Sequence, residues 1–160
     1  MTSILHQIKA KVSMPWLLPT LLFVLFIWGN SLVPGEGSGS LSLAVVEAVQ
    51  GLLRSLSLPC EWVTNFLVRK TAHFTEYLIL GIFASQAFGP RRTVSRGALF
   101  ATAVFCAFVP TVDETIQLFV ADRSGQVTDV LLDCCGAAAG IAMRSILARR
   151  YRDVSESSHQ

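Results

Sequence analysis

Four apolar runs divide the chain, at residues 16–33, 71–88, 98–119 and 130–147. Each approaches the roughly 20 residues a helix needs to cross ~30 Å of hydrocarbon. Backbone polar groups in lipid must be satisfied within the segment itself, so each run predicts a helix. Of 160 residues, 52% are hydrophobic and 15% charged, and mean hydropathy is +0.53. That balance excludes an ordinary soluble domain. The expected fold is all-α: a polytopic membrane protein with a four-helix transmembrane bundle, forming one domain over residues 1–150. The polar residues 151–160 are expected to be a disordered cytoplasmic tail. A net charge of +2 gives no support to a nucleic-acid partner; the lipid bilayer is the partner the composition implies.

Run one follows the basic residues Lys9 and Lys11, as a signal peptide would. Its apolar stretch is long for a signal peptide and no A-x-A site follows, so it is read as a retained helix. Basic residues then orient the bundle. Lys9 and Lys11, then Arg91, Arg92 and Arg96, then Arg144, Arg149, Arg150 and Arg152 all fall on one side, against Arg69 and Lys70 on the other. The positive-inside rule makes both termini and the 89–97 loop cytoplasmic, with the 34–69 loop outside.

That loop opens on PGEGSGS, read as a flexible turn. Beyond it, Leu43, Val46, Val49, Leu53 and Leu56 follow helical spacing. This predicts an extracytoplasmic amphipathic helix between helices one and two, lying on the leaflet or over the bundle mouth, or else simply a short helix packed on the bundle top. Pro59 ends it. Of four cysteines, Cys60, Cys106, Cys134 and Cys135, none makes a CxxC or Cys/His spacing, and they are read as packing residues.

Charge inside these runs carries the functional signal, because titratable groups at membrane depth are costly. On the second helix, Lys70, His73, Tyr77 and Gly81 share a face, with Glu76 about 60° round from His73. The third helix brings Asp113, Glu114 and Gln117 to the same level, just after Pro110, which predicts a kink or a water site. The turn that follows carries Arg123. On the fourth helix, Asp129, Asp133, Gly136 and Gly140 share a face, and the glycines permit close backbone contact. Asp129 is positioned to cap that helix, and Asp133 requires a donor or cation, for which Lys70, Arg123 and His73 are the candidates. Tyr77 and Trp62 also have the character of interface anchors.

The chemistry these residues suggest is proton transfer by His73, Glu76, Asp113 and Glu114, or cation binding by the same four. Lys70, Tyr77, Gln117, Arg123, Asp129 and Asp133 form the expected ligand-binding set. One histidine among carboxylates makes no recognised metal-ligand spacing, so no metal and no cofactor is assigned. No GxSxG elbow occurs, which argues against a serine nucleophile.

Three blocks carry a resemblance: NSLVPGE at 30–36, RKTAHFTEYLILG at 69–81, and DETIQLFVADRSGQVTDVLLDCCGAAAG at 113–140. Together they resemble the VanZ-like family of small bacterial membrane proteins. The last block has that family's DExxQ, the turn arginine, the aspartate opening the final helix and the two glycines. It departs at Asp133, where the family commonly has Asn, and this puts any simple transfer of ligand preference in doubt. The namesake is linked to teicoplanin resistance. The resemblance therefore implies a cell-envelope role: acting on or shielding an envelope lipid or peptidoglycan precursor, with lowered susceptibility to lipoglycopeptides as one outcome. The alternative is a membrane-embedded enzyme that modifies a lipid head group through His73 and an acidic partner. A proton- or ion-coupled carrier would need more than four short helices, hence a homo-oligomer. A structural partner for a larger envelope complex is the remaining reading.

Overall fold

A computed structural model describes residues 12–89 and 96–157. They form five helices: α1 (Met14–Ser31), α2 (Gly35–Ser55), α3 (Asn65–Phe88), α4 (Arg96–Gln117) and α5 (Val127–Ser157). No strand occurs among the described residues, so the all-α expectation holds. Lys9, Lys11, Arg91 and Arg92, on which much of the predicted orientation rests, lie outside them.

Among the described residues, three helices are long and apolar enough to cross a membrane: α1, α4, and α5 over Val127–Arg150. At 24 residues α3 has the length, but Arg69, Lys70, His73 and Glu76 crowd its first half, and it is not among them. It begins before the apolar run does, because the Thr64 hydroxyl accepts from the Leu67 amide at 3.2 Å and starts the helix at Asn65. α5 continues to Ser157, so residues 151–157 are helical where a disordered tail was expected.

α2 corrects the reading of PGEGSGS as a flexible turn. Pro34 takes the N-cap position with Glu36 in the first turn, and the Ser38 amide bonds the Pro34 carbonyl at 3.1 Å. The Ser40 and Ser42 hydroxyls satisfy carbonyls one turn back. The Gly35 amide, one of the donors a helix start leaves open, is taken up by the Ala121 carbonyl at 3.0 Å, and backbone bonds thus hold a helix that glycine propensity alone disfavours. α2 lies against α3, burying Ser42 and Val46 while Leu43, Val49 and Leu56 stay exposed. That is the amphipathic helix the spacing predicts. After it, the Gln50 amide bonds the Val63 carbonyl at 2.9 Å and pins the connection to α3.

The bundle is organised around α3 and α5. A Cβ added at Gly81 would meet the Ala137 backbone, one at Gly136 the Phe74 carbonyl, and one at Gly140 the Leu78 carbonyl. These helices therefore meet backbone to backbone. Where surrounding lipid is as apolar as the core, such small-residue packing is what drives helices together. Behind this seam lie Tyr77, Leu80, Ala84, Ala137, Val109 and Ile27, all buried. Phe83 packs at a tilt against Trp16 and edge-on against Phe23, and Phe88 meets Phe105 edge-on, joining α1 and α4 to α3. The Trp28 indole donates to the Val109 carbonyl at 3.3 Å. α4 runs on through Pro110 without interruption. Cys60 and Cys106 are buried free thiols, whereas Cys135 is exposed.

At one end of the bundle, α1 and α4 finish and α3 and α5 begin, so their polar terminal residues arrive together. At the other end the buried Arg144 donates to the Gln86 side chain at 3.1 Å and to the Gly89 carbonyl.

Candidate functional site

Facing periodicities on α3 and α5 set out a ladder of contacts. From the mouth inward come Lys70 with Asp129, then His73 with Asp133, then the glycine seam. Lys70 and Asp129 form a direct ion pair. Asp129 therefore spends its carboxylate on Lys70, and although it lies in the first turn of α5 it is not the residue that caps it. Below it, His73 Nδ1 stands 4.0 Å from Asp133 Oδ1, too far for a hydrogen bond. Neither oxygen of Asp133 has a hydrogen-bond partner among the described residues, and the residue is completely buried.

α4 contributes two buried carboxylates with different surroundings. Glu114 is tied into the following turn, accepting from the Gln126 amide at 2.8 Å and the Gln117 side chain at 3.2 Å. Asp113 accepts from Gln117 at 3.4 Å through Oδ2, while Oδ1 has no partner. The Ser31 and Tyr77 hydroxyls face it. Tyr77 is fully buried against this carboxyl, which removes it from the membrane interface, whereas Trp62 is 61% exposed. Glu76 sits nearer the edge and accepts from Asn30 at 3.2 Å.

Arg123 does not neutralise Asp133, as charge counting suggests it could. Its Nε donates to the Val33 carbonyl at 2.9 Å and its Nη2 to the Asn30 carbonyl at 3.0 Å. The guanidinium thus caps the C-terminal end of α1, where the helix dipole favours a cation. Partial burial, and then the nearby Arg69, draw its pKa below the usual value, yet an arginine stays charged at neutral pH. The turn that holds it is tight: Asp122 has φ 57°, and Gly35 lies so close to the Asp122 carbonyl that a Cβ there would overlap it.

Two cavities open beside His73. One, of about 300 Å³, has a polar end at Asn30, Arg69, Glu76 and Arg123 and an apolar wall from Leu41 and Val45 of α2. The other, of about 310 Å³, is lined by Lys70, Asp129, Gln117 and Gln126. Arg69 and His73 belong to both.

A family model settles the relationship: that of VanZ/LLP1 matches residues 16–148. The chain belongs to the VanZ/LLP1 family. No curated protein matches it, and no solved structure does.

The VanZ/LLP1 matched region covers every residue expected at the site, and the structure gathers them at one end of the bundle. His73, Asp113 and Asp133 converge most closely, with one ligand-capable atom from each within 4.8 Å of the others. Glu76 and Glu114 flank this group and Arg123 is occupied by backbone. Asn30, Ser31, Arg69 and Gln126 are parts of the site that helical-face reasoning left out. The signal for the first two was available in Asn30 and Ser31 closing an otherwise apolar helix.

Proposed function

We propose that this VanZ/LLP1 protein spans the membrane four times, α3 included, and opens its polar end outward to take an anionic envelope lipid or peptidoglycan precursor. Binding, altering or shielding that molecule is the reading the site supports best. The observation that carries it is the first cavity. An apolar wall of α2 meets a polar end with Arg69 and Arg123, so an acyl chain and an anionic head group are matched together. Lys70 and Arg69 add positive charge at the mouth of the second cavity. Membrane groups of this kind at one depth are costly to maintain without a use. The test is growth under teicoplanin and vancomycin of strains carrying the wild type, a deletion, Lys70→Ala or Asp113→Asn. Raised sensitivity in the deletion and in either variant is expected; unchanged sensitivity throughout would sink the reading.

A second reading, a head-group-modifying enzyme, is favoured by the position of His73. It lines both cavities and faces two buried carboxylates, a setting for general acid–base work. Lipid and precursor profiling of cells expressing wild type or the His73→Ala, Asp113→Asn double variant separates the two. A species that changes only with wild type means turnover, and identical profiles with a retained drug phenotype mean binding or shielding.

A further inference from the structure

We infer that His73, Asp113 and Asp133 form a binding site for a divalent transition-metal ion. Each comes from a different helix, α3, α4 and α5, and their ligand-capable atoms lie within 4.8 Å of one another. The independent observation is Asp133. It is fully buried, both of its oxygens lack hydrogen-bond partners, and it faces His73. Asp113 Oδ1 and His73 Nδ1 likewise lack hydrogen-bond partners among the described residues. Three open donors thus point into one small space.

The surrounding charges do not supply the missing counter-ion. Lys70 is paired with Asp129, and Arg123 is held on the Asn30 and Val33 carbonyls. Among the described residues, the groups that act most on Asp133 after burial itself are other carboxyls: Glu114, Asp113, Asp129 and Glu76. A buried carboxylate in that setting either takes a proton or holds a cation. Proton sharing would draw donor and acceptor to hydrogen-bond distance, but His73 and Asp133 stand 4.0 Å apart. The gap is closer to what an ion occupies. An ion equidistant from three atoms 4.8 Å apart would be about 2.8 Å from each, so each ligand moves inward by roughly 0.6–0.8 Å to reach the ~2.0–2.2 Å of a zinc-type centre.

One imidazole and two carboxylates offset a dication's charge with two anions and select Zn²⁺ or Mn²⁺ over Mg²⁺ or Ca²⁺, which prefer all-oxygen sites. Gln117, donating to Asp113 Oδ2, acts from the outer shell to orient a ligating carboxylate. The site needs no lipid and no drug phenotype, so it stands or falls separately from the proposed function.

The test uses the full chain, purified in detergent without a histidine tag, stripped with EDTA, then equilibrated with micromolar Zn²⁺ or Mn²⁺ and desalted. Metal per chain is read by mass spectrometry, and thermal unfolding is followed with and without metal. About one ion per chain is expected in the wild type. Retention should fall at least tenfold in Asp133→Asn, with loss of the metal-dependent rise in Tm. His73→Gln gives the same comparison should Asp133→Asn not fold. Two results overturn the inference: a wild type that retains no more metal than the folded variants, or metal retained equally by all, which would put it elsewhere on the chain.

Discussion

His73 Nδ1 lies 4.0 Å from Oδ1 of Asp133, and neither oxygen of that completely buried aspartate has a hydrogen-bond partner among the described residues. The pair joins α3 to α5 at the level where the polar end of the bundle gives way to the glycine seam. Removing the carboxylate's capacity for charge should not weaken the metal-free fold. Asp133→Asn in EDTA is expected to unfold at the same temperature as wild type or a higher one, since a buried charge without compensation opposes folding. A clear drop in Tm would show that Asp133 is paired in a way its surroundings do not reveal.

The glycine seam makes a sharper prediction. Gly136→Val and Gly81→Val each drive a side chain into facing backbone, at Phe74 and Ala137. Overpacking of this kind costs about 1–3 kcal/mol or more. Gly39→Ala, where a Cβ meets nothing within 4 Å, should be neutral or slightly stabilising. Thermal unfolding of the three in one detergent provides the comparison.

Arg123 should matter through geometry as well as charge. Its two donors span the Val33 and Asn30 carbonyls, a fork that lysine lacks. Arg123→Lys and Arg123→Gln are both expected to destabilise the end of α1, by roughly 1.5–3 kcal/mol for lost charge-assisted bonds. Hydrogen exchange should rise around residues 30–37 in both variants. Full protection in Arg123→Lys would mean that charge alone suffices.

At the opposite end, Arg144→Ala takes donors away from the Gln86 side chain and the Gly89 carbonyl. A loss of about 1–3 kcal/mol is expected, as for other buried polar groups left without a partner. Because Arg144 is remote from the cavities, any folded fraction should keep the drug response of the wild type. The paired readout is Tm with teicoplanin sensitivity.

Lys70 and Asp129 should couple. Each is only about a quarter exposed, and they touch directly. In a cycle of Lys70→Met, Asp129→Asn and the double variant, a coupling of about 0.5–3 kcal/mol is expected, because residues in contact are not additive. Additive effects would mean that the pair contributes nothing beyond its separate parts.

Much of this was legible in the residues. The α1, α4 and α5 helices follow from apolar runs of membrane length, and α2 from a helical stripe. The face shared by Asp129, Asp133, Gly136 and Gly140 is the face α5 turns to α3. Other features were not. PGEGSGS reads as a turn on propensity, yet it is helical because the Gly35 amide finds the Ala121 carbonyl in a turn far along the chain and the Ser38 amide finds the Pro34 carbonyl. Tyr77 has the composition of an interface anchor but is buried against Asp113, since only packing decides which side of a helix meets lipid.

By itself the sequence determined which residues share a helix face and which end of each helix is polar, because a rise of ~1.5 Å and about 100° per residue are local properties of the backbone. Only the tertiary structure decided the partners. Lys70 takes Asp129, Arg123 takes two backbone carbonyls, and His73, Asp113 and Asp133 are left facing one another. Those groups are 20 to 93 residues apart in the chain. Their meeting depends on how closely α3 and α5 approach through Gly81, Gly136 and Gly140, a distance set by packing between helices and not by the periodicity of any one of them.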